Sequence, residues 1–283
     1  MEVFGDKHER LNQLLLDYGQ VGVAFSGGVD SSLLLRCALG TLGAGNVVVL
    51  HARSCLQAKA EQERAAGWLT AHGFGEGVEF LVLDLHPLRW KGFAANGEER
   101  CYLCKSSLYR TFLEELKQRG IGLLLDGTNM DDLKDRRPGL RAILELGVEM
   151  PLVRAGLDKR DVRLLSRELG LVTWRQPSAS CLATRIPHGV TITEERLERI
   201  GRWEEVLAKM GFSGCRVCPD RTWQTVVIRL EADQFDRMVA GSVRQSVLRF
   251  FRKEGIGTVH LDLHGRQPSG LPEDVVERFV EAV

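Results

Sequence analysis

Short apolar runs alternate with amphipathic stretches through the first half of the chain. Their spacing predicts strands over 21–25, 46–52, 79–84 and 121–126, and helices over 6–18, 30–40, 57–73, 101–118 and 158–169. Val47-Val48-Val49-Leu50 and Leu123-Leu124-Leu125 have no polar face, as in strands covered on both sides. Strands that alternate with helices in this way form a parallel sheet with right-handed crossovers. The pattern changes near Pro177. Gln176-Pro177-Ser178-Ala179-Ser180 has loop composition. Thr193 is a suitable N-cap for a helix running to Met210, with Gly211 as its stop. Residues 224–231 alternate as a strand packed on one face does, helices follow over 233–240 and 242–254, and a last strand covers 257–263. The expected fold class is therefore α/β. A parallel sheet flanked by helices fills residues 1–177, and a smaller α+β domain fills 178–283.

A chain of 283 residues has room for two modest cores. The 38 Lys and Arg are balanced by 38 Asp and Glu, with no polybasic run, which counts against a large nucleic-acid footprint. No apolar run is long enough to span a bilayer, and no secretory signal is visible. Seven cysteines in such a chain lead to the expectation of a reducing, cytoplasmic compartment. There thiols serve as metal ligands, cluster ligands or nucleophiles before they serve as disulfides.

The densest chemistry lies in Ser26-Gly27-Gly28-Val29-Asp30-Ser31-Ser32, between the first strand and a buried helix. Two glycines let the backbone turn sharply and aim several N–H groups into one concavity at the positive end of the helix. The serine hydroxyls add donors, and Asp30 offers Mg²⁺ a carboxylate oxygen. Such a loop suits a phosphate. It lacks the Gly-Lys-Ser/Thr ending of a Walker A loop. The bland alternative is an ordinary strand–helix turn capped by Ser and Asp. Asp126-Gly127-Thr128-Asn129 follows another strand end, where ligands of parallel sheets bind. Asn129, Asp131 and Asp132 suit either a ligand-facing role or the capping of a following helix.

The heptad resembles the PP-loop of the ATP-pyrophosphatase superfamily, whose members transfer AMP to a carbonyl or carboxylate oxygen before a nucleophile displaces it. Further segments follow in order: Arg100-Cys101-Tyr102-Leu103-Cys104-Lys105, Asp126 to Asp132, Arg137-Pro138-Gly139-Leu140-Arg141, Ser180-Cys181-Leu182-Ala183-Thr184-Arg185, Leu261-Asp262-Leu263-His264-Gly265 and Ser269-Gly270. Together they resemble the LarE sulfur transferases of nickel-pincer nucleotide biosynthesis, over nearly the whole chain. The resemblance implies the PP-loop fold and a defined reaction. ATP and Mg²⁺ adenylate the carboxylates of pyridinium-3,5-biscarboxylate mononucleotide, and sulfur displaces AMP to leave thiocarboxylates. It implies ATP contacts from Ser26, Gly27, Gly28, Val29, Asp30, Ser31, Ser32, Gly127, Thr128 and Asn129. Catalytic roles fall to Asp30, Cys181 and Arg185, with Arg185 expected to activate the thiol or to neutralise a phosphate.

Within the resemblance, sulfur comes either from sacrifice of the cysteine at position 181 or from a 4Fe–4S cluster. Cys101, Cys104 and Cys181 are all present, which implies the cluster, with one iron left open to carry sulfide. The substrate phosphate is expected at Arg216, with Glu205 matching an acidic position by spacing or else pairing with Lys209 at i,i+4. The family pattern has a second arginine where this chain has Cys218, and a thiol does not replace a guanidinium fork; Arg221 and Arg229 are candidates to compensate. Cys37 and Cys55 read as core or bystander thiols, and His188 has no assigned role. Cys215-Arg216-Val217-Cys218 is a second Cys-x-x-Cys, so a structural zinc site joining the two pairs is the competing expectation. A transfer-RNA thiolase, an amidotransferase and a nucleotide-sensing zinc protein are the alternative functions. The expected partners are a small-molecule nucleotide, further copies of the chain and a downstream nickel-insertion enzyme, with neither nucleic acid nor membrane.

Overall fold

The computed structural model describes residues 2–74, 76–134, 138–178 and 180–266. Arg137, Ala179, Ser269 and Gly270, singled out above, lie outside them. Strands β1 (Val21–Ala24), β2 (Val47–Arg53), β3 (Glu79–Asp84) and β4 (Leu124–Leu125) form one parallel sheet in the order β3-β2-β1-β4. Val21 pairs with Val47, Gly22 with Leu124, and Val48 with Glu79. The alternation of side chains explains the burial on both faces. Val21, Val23, Val47 and Val49 meet the helices Val29–Leu42 and Lys159–Glu168 on one side. Ala24, Val48, Leu50 and Leu124 meet Tyr109, Phe112 and Leu116 of the helix Arg100–Gln118 on the other.

A second sheet joins β5 (Arg216–Pro219), β6 (Thr225–Arg229) and β7 (Thr258–Leu261), antiparallel between β5 and β6 and parallel between β6 and β7. The helices Glu194–Lys209 and Gly241–Lys253 pack on it through Trp203, Leu207, Val247 and Phe251. This core also takes in Leu56 and Phe93 from the first half of the chain. No helix among the described residues is long and apolar enough to cross a membrane.

The expected cap at Thr193 is present, its Oγ1 accepting the Arg196 N–H at 3.3 Å, and Asp158, for which no cap was expected, forms a reciprocal capping box with Asp161. The helix expected over 57–73 is instead two, Lys59–Ala66 and Trp68–Ala71, broken at Gly67. The strand expected over 121–126 pairs in the ladder only at Leu124 and Leu125. Asp126 N–H and Glu149 N–H turn away to a neighbouring segment, donating to the Glu149 and Leu124 carbonyls.

Candidate active site

The Ser26–Ser32 loop sits at the carboxyl end of β1. Gly27 lies at φ +78°, and a Cβ there would stand 2.9 Å from that of Ala65. The turn is therefore open to glycine alone. Ser31 Oγ binds Ser26 Oγ at 3.0 Å and donates to the Gly28 carbonyl at 3.2 Å, which shapes the loop. Gly127 crosses directly over it, and Asn129 does two jobs. Its side-chain oxygen caps the short helix Met130–Leu133 through Asp131 N–H and Asp132 N–H, while its Nδ2 donates to Asp30 Oδ1 at 2.9 Å. The capping reading of Asn129 is what these contacts show. Asp30 Oδ2 is met by Lys159 Nζ at 2.5 Å. Asp131 turns to Lys159 N–H and Lys134, and Asp132 to Asn129 N–H.

A cavity of about 230 Å³ opens beside this loop, lined by Ser26, Asp30, Ser31, Gln57, Lys105, Asp126, Gly127 and Thr128. Lys105 enters it from the helix that carries Cys101 and Cys104. Its Nζ donates to Tyr109 Oη at 2.6 Å and to Asp126 Oδ2 at 3.1 Å, and the Tyr109 hydroxyl also donates to Asp126. Burial would lower the Lys105 pKa, but the Asp126 charge and the Tyr109 contact outweigh it and hold the ammonium charged. Burial likewise pushes Asp126 up, and Lys105 with the hydrogen bonds from Thr128 and Tyr109 brings it below the usual carboxylate range. Lys105 was assigned no role on sequence, although its i,i+4 spacing from Cys101 puts both on one helix face. A larger cleft, about 280 Å³, lies at the ends of β2 and β3 between Arg53, Cys55, Asp84, His86 and Glu194; the residues expected to bind ATP or sulfur do not line it.

Cys101, Cys104 and Cys181 come together from the start of that helix and from the 180–185 loop. Burial pushes the Cys104 thiol up to about 12, with the neighbouring charges of Cys181 and Cys101 adding to it. Burial pushes Cys181 up to about 11, against the Ala183 N–H, Arg100 and Arg185. Arg100 is the cation built into this group. Buried itself, it donates to the Ala183 carbonyl at 2.9 Å and reaches Cys101 Sγ at 3.7 Å. Asn96 holds the far side of the loop, donating to the carbonyls of Ile186, Pro187 and Val190. Among the described residues, no three His, Cys, Asp or Glu side chains converge tightly enough to hold one metal ion. A cubane asks for less convergence, because its thiolates bind different irons; three soft thiols beside a cation suit it by donor type.

Arg185 has a structural task besides its charge near Cys181, which acts to lower that thiol's pKa. Its guanidinium binds Glu204 through Nε at 2.8 Å and Nη2 at 3.0 Å, and Nη1 donates to the Ser180 and Cys181 carbonyls. Arg185 therefore positions the Cys181 loop, and burial keeps the resting thiol protonated despite it. Glu205 makes the other contact expected of it: it is exposed and pairs with Lys209 at 2.6 Å. Its neighbour Glu204 points inward, also accepting Val217 N–H at 2.9 Å. The zinc expectation fails on geometry: Cys215 is buried and donates to the Glu204 carbonyl, whereas Cys218 shares the other face of β5 with Arg216. Cys37 is a core thiol.

No family model matches the chain. It is 34 % identical over 268 residues to an uncharacterized protein of Synechocystis sp., covering 94 % of this chain and 96 % of that one. It is 26 % identical over 159 residues to a tRNA(Ile)-lysidine synthase of Burkholderia mallei, covering 51 % of this chain and 32 % of that one. This likeness agrees with the architecture, a PP-loop α/β sheet flanked by helices with a separate small sheet. The pyridinium-3,5-bisthiocarboxylic acid mononucleotide synthase of Lactiplantibacillus plantarum is 34 % identical over 217 residues, 77 % of each chain. With that coverage, and with the nucleotide loop and the Cys181 loop bridged by one helix, the chain belongs to the LarE family of enzymes.

Proposed function

We propose that this chain is an ATP-dependent sulfur transferase that adenylates both carboxylates of pyridinium-3,5-biscarboxylate mononucleotide and converts them to thiocarboxylates for the nickel-pincer nucleotide. The observation that carries this reading is the helix Arg100–Gln118. Its first turn brings Cys101 and Cys104 to Cys181, and one residue further on Lys105 enters the nucleotide cavity. Activation and sulfur delivery thus share one wall.

In this reading the Ser26–Ser32 amides and hydroxyls, with Gly127, Thr128 and Asn129, hold the ATP phosphates. A substrate carboxylate oxygen attacks the α-phosphorus and pyrophosphate leaves, its charge met by Lys105 and Lys159. Asp30 would hold Mg²⁺ once the ion displaces Lys159 Nζ from its carboxylate, and the ion would there neutralise phosphate charge. A sulfur nucleophile then adds to the acyl carbon and AMP departs. Cys101, Cys104 and Cys181 would hold a 4Fe–4S cluster, whose chemistry there would be the supply of sulfide. Arg216 takes the substrate phosphate, and Arg185 holds the Cys181 loop in place through Glu204. We assign residues 1–177 to ATP and 178–283 to substrate and sulfur transfer. We extend the reading to a cytoplasmic homo-oligomer whose product passes to a nickel-insertion enzyme.

The test is pyrophosphate release that depends on the pyridinium dicarboxylate mononucleotide, with mass spectrometry for exchange of oxygen by sulfur. Turnover on transfer RNA in its place would overturn the assignment. A second test concerns the sulfur source. Anaerobically purified protein is expected to hold about four irons per chain, lost in Cys101→Ala, Cys104→Ala and Cys181→Ala. Dehydroalanine at position 181 after one turnover, without iron, would instead identify a sacrificed cysteine.

A further inference from the structure

Arg100 poses an electrostatic problem. Two arginines are buried among the described residues, Arg185 and Arg100. Arg185 has the Glu204 carboxylate as its counter-charge. Arg100, 5 % exposed, makes no ion pair among the described residues. Its Nη1 donates to Asn96 Oδ1 at 2.5 Å and to the Ala183 carbonyl at 2.9 Å, and its Nη2 meets Cys101 Sγ at 3.7 Å. An amide oxygen and a carbonyl orient a cation without cancelling its charge. Its acidic neighbours along the chain, Glu98 and Glu99, are exposed, and Glu99 is taken by Arg141. A buried cation without a counter-charge is costly, and one persists where another group supplies the anion.

The fold anchors Arg100 and leaves it unbalanced. Asn96 is fully buried at φ +58°, a left-handed conformation that asparagine tolerates better than most residues. Its Nδ2 donates to the Ile186, Pro187 and Val190 carbonyls, so its oxygen is the atom that faces Arg100. A carboxylate in that place would neutralise the guanidinium; the amide only holds it. The thiols lie on the same side. Cys101 is touched directly, Cys181 opens the short helix that contains Ala183, and Cys104 and Cys181 pack in one cluster with Ala183. We propose that Arg100 is the counter-charge of the three-cysteine centre, a buried guanidinium kept unpaired to balance the anion formed when Cys101, Cys104 and Cys181 bind iron as thiolates. This rests on the reading of those cysteines as cluster ligands. Thiols give up their protons on binding metal, and three thiolates outweigh the positive charge of an oxidised cubane. Sulfide adds further negative charge. Net charge and hydrogen bonds at the sulfurs are the means by which a protein sets the potential of such a centre, and Arg100 offers both.

The experiment is a redox titration of the full-length protein, loaded anaerobically with iron and sulfide and followed by its visible spectrum. A cation beside the centre favours the reduced, more negative form. Arg100→Gln should therefore lower the equilibrium constant for reduction by about tenfold, the scale of a charged hydrogen bond, or about 59 mV for one electron. Arg100→Lys restores the charge without the fork and should keep the potential near that of wild type. ATP affinity in the same samples reports that each variant is folded. Arg100→Met, which keeps an apolar stem in the same space, replaces Arg100→Gln if that protein does not bind ATP. Loss of iron from Arg100→Gln that still binds ATP, with iron regained in Arg100→Lys, also supports the assignment. A wild-type potential in Arg100→Gln, or equal losses in Arg100→Gln and Arg100→Lys, overturns it. Wild type that binds no iron overturns the cluster reading and this inference with it.

Discussion

Gly127→Ala tests how the nucleotide loop is held. A Cβ at this position would stand 2.9 Å from Ser31 N and 3.1 Å from both the Asp30 carbonyl carbon and Ser31 Cα, where ordinary contact begins at 3.4 Å. All three atoms are backbone, so no side chain can swing aside. Both sides are anchored, because β1 and β4 are hydrogen-bonded neighbours through Gly22 and Leu124. The start of the Val29–Leu42 helix must therefore give by about half an ångström, an overpacking cost of roughly 1–3 kcal/mol. The displaced groups include the loop amides proposed to face the phosphates. If about half of that strain appears as loop displacement, ATP binding weakens by about tenfold, or about 1.4 kcal/mol. Titration calorimetry with a non-hydrolysable ATP analogue reads the binding, and urea unfolding reads the stability. Gly122→Ala is the control, since its Cβ meets nothing within 4 Å and its φ is not left-handed. It is expected to be neutral or slightly stabilising. A Gly127→Ala protein with wild-type ATP affinity and unfolding midpoint would refute the packing argument.

Glu204→Gln should lower sulfur transfer by loosening the Cys181 loop, and should destabilise by about 3–5 kcal/mol because a buried Arg185 loses its counter-charge. Glu205→Gln, on the solvent side of the same helix, should leave turnover unchanged. Tyr109→Phe removes the hydroxyl between Lys105 and Asp126; ATP-dependent pyrophosphate release should fall, and an unchanged rate would remove Lys105 positioning from the mechanism. Asp126 has a folded pKa below its ordinary value. Its stabilisation is therefore complete above the ordinary carboxylate pKa and is lost as pH falls through the folded value. The gap in urea midpoint between wild type and Asp126→Asn should close on acidification; a gap independent of pH would contradict this linkage.

Several features of the site were legible because they are local. The heptad between an apolar strand and a buried helix announced a sharp glycine turn, and Gly27 makes it at φ +78°. Thr193 capped its helix as expected, through a bond three residues along the chain. What failed involved facing. Glu204 and Glu205 are adjacent, yet successive residues point about 100° apart around a helix. Only the packing of that helix against β5 and the Cys181 loop selected Glu204. Arg185, near Cys181 in sequence, is joined in the fold by Arg100 from another segment, which reaches the Ala183 carbonyl and Cys101.

By itself, the sequence determined the alternation of strands and helices, the nucleotide turn, the caps and the family, since periodicity, cap chemistry and ordered motifs act over a few residues each. Tertiary structure alone decided that Lys105 reaches Asp126, that three thiols from two segments share one neighbourhood, and that Glu204 meets both Arg185 and Val217 N–H. Those meetings depend on which faces of distant elements are buried against one another. That choice is made by the whole core, not by any one segment of the chain.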